Sequence, residues 1–75
     1  MTLKVLKREI RLCFRKWDDF TEFQKKAEKI LSKEAWENSR ISPYPKTFIW
    51  FRMLHLTTEE IGQIIELAYE IVNKR

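Results

Sequence analysis

Residues 48–56 contain only two clearly polar side chains, Arg52 and His55. A chain of 75 residues must do something specific with so apolar a segment. As a helix, Phe48, Ile49, Trp50, Phe51, Met53, Leu54 and Leu56 point nearly all round, and a helix apolar on every side is buried on every side. As a strand, the segment suits the β preference of Phe, Ile and Trp, but a strand needs a mate. The one candidate, residues 2–7, belongs to an apolar pattern that continues unbroken to Trp17. The segment is therefore predicted as a helix over about 45–55, with Pro45 at its first position, standing at the centre of the fold.

The rest of the chain is read around that post. Leu3, Leu6, Ile10, Cys13 and Trp17 recur at spacings of 3, 4, 3 and 4, which predicts a helix over 3–17. Val5 and Leu12 fall outside its stripe. Asp19 with Glu22 three residues on has the form of a capping box, and a second helix follows over about 20–36 with Phe20, Phe23, Ala27, Ile30 and Leu31 inward. Residues 38–45 carry the turn formers Asn38, Ser39, Ser42, Pro43 and Pro45, and the residue before each proline, Ser42 and Tyr44, is expected to be extended. Thr57 and Glu60 form the clearest capping box, opening a helix over 58–73. One glycine and two prolines are too few for the many turns of an all-β fold. The fold class expected is all-α, a single domain over residues 1–75 of four short helices.

Chemistry-bearing residues are scarce. Cys13 is the only cysteine and His55 the only histidine. Neither has the companions that a zinc site, needing three or four ligands, would require. Ser32, Ser39 and Ser42 lack a base at any recognisable spacing, and one glycine cannot make a phosphate-cradling loop. The sequence thus predicts no catalytic centre, no cofactor, no metal and no small-molecule substrate. The longest unbroken apolar run, residues 48–51, is far short of the ~20 residues a membrane helix needs. The expected location is cytoplasmic, and the size suits a small regulator of a phage or mobile element.

Two binding functions remain. The first is protein–protein interaction, with another protein or a second copy of the chain. Its basis is the aromatic content of 13%, with Trp36, Tyr44, Trp50 and Phe51 as anchors, since Trp and Tyr are frequent hot-spot residues. The second is nucleic-acid binding. The formal net charge is +4, and residues 1–40 hold eleven Lys/Arg against seven Asp/Glu, while residues 41–75 hold four of each. Lys4, Arg8, Arg11 and Arg15 form one basic stripe, and Lys26, Lys29 and Lys33 a second. Such groups facing phosphates release counterions. The last helix presents Glu59, Gln63, Glu66 and Glu70 outward, so phosphate contacts are expected from the first two helices or from the loop at Arg40.

Overall fold

In the computed structural model, which describes residues 1–43 and 47–74, the first fourteen residues alternate rather than spiral. Ile10, Leu12 and Phe14 are buried, whereas Arg11 is exposed and Cys13 half-exposed. That is the two-residue period of a strand with one covered face. Strand β1, Thr2–Val5, folds back on β2, Glu9–Phe14, with Leu3 opposite Leu12 and Val5 opposite Ile10. Lys7 and Arg8 sit at the tip, closed by the Leu6 N–H donating to the Glu9 carbonyl at 2.8 Å. The helix expected over 3–17 is therefore a β-hairpin. Leu12, which fits no helical stripe, is buried on the inward side of β2 opposite Leu3, while Val5 stands opposite Ile10 and stays largely exposed.

The apolar segment is likewise a strand, not a central helix. Strand β4, Thr47–Arg52, pairs antiparallel with β2 on one side and with β3, Arg40–Ser42, on the other. A turn of 3₁₀ helix, Met53–His55, follows it. The mates that β4 needs are thus residues 9–14 and 40–42, not residues 2–7. The sheet order is β1-β2-β4-β3. The expectation of an all-α four-helix domain is overturned: the chain is a four-strand antiparallel sheet with three helices. Pro45 and Tyr44, expected at a helix start and in an extended conformation, lie outside the described residues.

Helix α1, Trp17–Ile30, begins two residues before the anticipated cap, so Asp18 and Asp19 fall in its first turn. There their charge favours the N-terminal end of the helix dipole. The helix expected to run to residue 36 breaks at Leu31. Ser32 then caps the short helix α2, Lys33–Glu37, its hydroxyl accepting from the Ala35 N–H at 3.2 Å. Helix α3, Thr58–Asn73, matches the expected span, and its capping box is formed as the sequence indicates. Glu22 of α1 takes ammonium groups from both Lys26 at 3.0 Å and Lys74 at 3.6 Å, the latter just past the end of α3. Among the described residues, no helix is long and apolar enough to cross a membrane.

All three helices contribute to one core with the inward side of β2 and β4. Ile10, Leu12, Ile49, Phe51, Phe20, Phe23, Ala27, Ile64 and Ala68 are almost wholly shielded from water. Aromatic rings run through it. Phe14 lies 5.3 Å from Phe23, Phe23 lies 6.2 Å from Phe51, and Phe51 lies 6.3 Å from Trp36 between ring centroids. Phe23 is the link between sheet and α1, and removing its ring leaves a cavity that neighbours fill only partly. Phe23→Ala is expected to cost about 3–5 kcal/mol. That is comparable to the ~5–15 kcal/mol that holds such a domain together. Thermal melting followed by circular dichroism should lose its cooperative transition, and a melting point within a few degrees of the parent's would contradict the assignment.

One carboxylate ties two turns together. Glu60 accepts the Thr57 N–H on Oε1 and the Ser32 N–H on Oε2, both at 2.9 Å. These two backbone donors hold its pKa below the ordinary glutamate value. A carboxylate with a depressed folded-state pKa adds stability that is complete above its unfolded value and is lost as pH falls through the folded one. At neutral pH, Glu60→Gln is expected to lose about 0.5–1 kcal/mol in urea unfolding, the low end for a cap because the group is solvent-accessible. The gap between the two proteins should narrow below about pH 4. A gap that stays constant down to about pH 3 would mean the ionised carboxylate is not what holds the two turns.

Candidate functional site

The pleat that buries Ile10, Leu12, Ile49 and Phe51 turns their neighbours the other way. Those neighbours form the second face of the sheet, which is exposed or half-exposed throughout. Strand register arranges them in rows. Lys4 on β1, Arg11 on β2, Trp50 on β4 and Arg40 on β3 stand in one line across all four strands. Thr2, Cys13, Phe48 and Ser42 form the row on one side of it. Glu9 opposite Arg52 forms the row on the other.

Trp50 is thereby enclosed. Arg11 and Arg40 are its direct cross-strand neighbours, at the ~4.5–5.5 Å Cβ spacing of such pairs. Arg52 and Phe48 are its same-face neighbours along β4. Phe48 and Trp50 stack on each other with centroids 5.3 Å apart and planes inclined by 20°. Two depressions flank this stack. One, of about 170 Å³, is lined by Glu9, Arg11, Asn38, Arg40, Trp50, Phe51 and Arg52. The other, of about 260 Å³, is lined by Thr2, Lys4, Arg11, Cys13 and Phe48.

The face is strongly cationic. Lys4, Arg11, Arg40 and Arg52 against the single carboxylate of Glu9 leave three net positive charges, where the entire chain has four. Arg11 donates from Nε to Glu9 Oε2 at 2.9 Å. Lys4, Arg40 and Arg52 form no ion pair among the described residues. Chemically, the surface offers the half-buried rings of Phe48 and Trp50 beside guanidinium forks. It can stack planar groups and hold anions at the same time. Among the described residues, no three His, Cys, Asp or Glu side chains come together to hold a metal ion.

The residues singled out from sequence are dispersed by the fold. Lys4 and Arg11, named for nucleic acid, and Trp50, named for a protein partner, come together in the central row. Arg8 is at the tip of the β1–β2 hairpin, where its carbonyl accepts the Met53 N–H at 3.0 Å. Arg15 lies beyond the end of β2, beside Lys16 and Asp19. Lys26 is paired with Glu22, Lys29 is exposed in the last turn of α1, and Lys33 lies 3.9 Å from Glu37. Trp36 packs half-buried on Phe51, and Phe51 itself is 0% exposed. Tyr44 lies outside the described residues. His55 gains an acid that its sequence spacing does not reveal, with Nδ1 3.1 Å from Glu34 Oε1.

Phe48, Arg52 and Glu9 are members of the face that residue spacing read as helix does not single out. The signal for them is present. In residues 47–52, Phe48, Trp50 and Arg52 alternate with Ile49 and Phe51, and in residues 9–14, Glu9, Arg11 and Cys13 alternate with Ile10, Leu12 and Phe14. Comparisons with protein-family models, curated proteins and solved structures return no match to this chain.

Proposed function

We propose that the protein binds single-stranded nucleic acid on the open face of its sheet. The observation that carries this reading is the setting of Trp50, flanked in register by Arg11 and Arg40 and extended along β4 by Arg52 and the stacked ring of Phe48. Exposed rings on a sheet take unpaired bases by stacking, and cations beside them take the phosphates between those bases. A duplex keeps its bases stacked internally and offers such rings nothing. The broad sheet face also lacks a projecting helix or ribbon to enter a groove. Contacts thus come from Lys4 and Arg11, as the basic stripe suggests, but through the sheet and not through two basic helices.

Fluorescence anisotropy with a labelled single-stranded oligonucleotide tests this. Trp50→Ala is expected to weaken binding by roughly 5- to 150-fold, the range of one lost stacking contact. Replacing Arg40 and Arg52 by Ala should flatten the salt dependence by about 0.7 per lost phosphate contact. Equal binding to a blunt duplex, or no effect of Trp50→Ala, would overturn the reading.

A second reading, a protein partner, is favoured by a different place. Leu54, in the turn after β4, is 89% exposed, and it lines a depression together with Lys7, Arg8, Glu9, Arg52 and Met53. Val5 and Leu6, also exposed, sit on the adjacent hairpin. Isolated surface leucines are common, but a group of this kind at one end of a small domain suits an interface. On this reading, sedimentation should give twice the chain mass, and Leu54→Glu should return it to a single chain. A protein that is monomeric at every concentration removes the homodimer.

A further inference from the structure

The open face is not symmetrical. The depression beside Phe48 is lined by cations, a hydroxyl and a thiol. The depression beside Trp50 contains the one carboxylate of the face, Glu9, set among three arginines. Resting on the single-strand reading above, we propose that this second depression is a guanine subsite: the base stacks on Trp50, and Glu9 accepts hydrogen bonds from its Watson–Crick edge.

The argument begins with position. Glu9 is two residues from Arg11 on the same face of β2, and Arg11 is directly opposite Trp50. Glu9 is therefore a diagonal neighbour of Trp50, and such neighbours lie about 7–8 Å apart. A purine laid over the indole spans most of that distance, and a hydrogen bond of about 2.9 Å covers the rest. Glu9 commits Oε2 to Arg11, which fixes the orientation of the carboxylate. Among the described residues Oε1 has no partner.

Chemistry then selects the base. A carboxylate only accepts, so its best partner is an edge with two adjacent donors. Guanine has that edge in N1–H and the N2 amino group. Adenine and cytosine have one donor beside a ring-nitrogen acceptor there, and uracil one donor between two carbonyls, so each places an acceptor lone pair against one carboxylate oxygen. Guanine also carries O6 and N7 as acceptors, the usual target of an arginine fork. Arg40 and Arg52 stand on the remaining sides of the same depression. A carboxylate whose sole role was to neutralise Arg11 would instead weaken binding of every oligonucleotide alike.

That contrast makes the test a matter of sign. Affinities are measured by anisotropy for three single strands of one length: all uridine, uridine with a central guanosine, and uridine with a central inosine, which lacks the N2 amino group. The parent protein is expected to prefer guanosine over inosine by about tenfold, the size of one good base-edge contact. Glu9→Gln is expected to abolish that preference while binding the all-uridine strand as well as or better than the parent does. If Glu9→Gln strengthens binding of all three strands by the same factor, Glu9 is only a counter-charge and the guanine subsite is wrong, though the single-strand reading survives. If the parent shows no guanosine preference, the subsite is equally refuted. If none of the three strands binds the parent, the single-strand reading itself fails, and the inference fails with it.

Discussion

The pairing of β2 with β4 is the constraint on which the rest of the molecule depends. Six residues of each strand are in register, from Glu9 opposite Arg52 to Phe14 opposite Thr47. Ile10 meets Phe51 and Leu12 meets Ile49 on the covered side, so Arg11 must meet Trp50 on the other. Side chains alternate with a period of two, and a slip of one residue would turn one strand over relative to the other. A slipped β2 would bring Glu9 and Arg11 under the helices, and a slipped β4 would bring Trp50 and Arg52 there, in either case at the cost of uncompensated buried charge. The core thus sets the binding face: burial of one set of side chains places the other set in register.

How much of this is legible in the sequence depends on how local the cause is. Helix α3 is readable because Thr57 and Glu60 satisfy its first backbone donors by themselves, and its apolar residues then recur with helical period. The hairpin is not, because its turn at Lys7 and Arg8 carries neither glycine nor asparagine, the usual signs of a tight turn. Without that sign, Leu3, Leu6, Ile10, Cys13 and Trp17 satisfy a helical spacing by coincidence. The break at Leu31 has a local cause in the Ser32 cap, but its second anchor is Glu60, twenty-eight residues away. For β4 the decisive partners lie more than thirty residues back and across a proline-rich connection. An apolar run whose mates are remote in the chain reads equally well as a buried helix.

The candidate site was legible as ingredients and not as an assembly. Cations and aromatic residues are visible in composition, and separately they suggest two different partners. What joins them is cross-strand register: Lys4 to Arg11, Arg11 to Trp50, Trp50 to Arg40. Register is a property of pairs of segments, and one segment does not contain it. The same consideration explains why Phe51 and Trp50, adjacent in sequence, have opposite fates. One is sealed in the core against Phe23 and Trp36, and the other lies half-buried on the outer face beside Phe48.

The open face is also an energetic asymmetry. Like charges directly across an antiparallel pair are unfavourable, and Lys4 faces Arg11. Their Cβ atoms, about 4.5–5.5 Å apart as for any directly opposed pair, lie within the ~8 Å Debye length at physiological salt, so the repulsion is only partly screened. Trp50 and Phe48 add apolar ring surface left in water, at about 25 cal/mol for each Å² not buried. A sheet whose sole task was to support a core would be more stable with hydroxyls and alternating charges in these positions. A ligand that is both anionic and planar relieves the two costs together, the phosphates offsetting the cation row and the bases covering the rings. On the single-strand reading, the features that weaken the free protein are the same ones that favour the complex, so substitutions that remove them should trade affinity for stability.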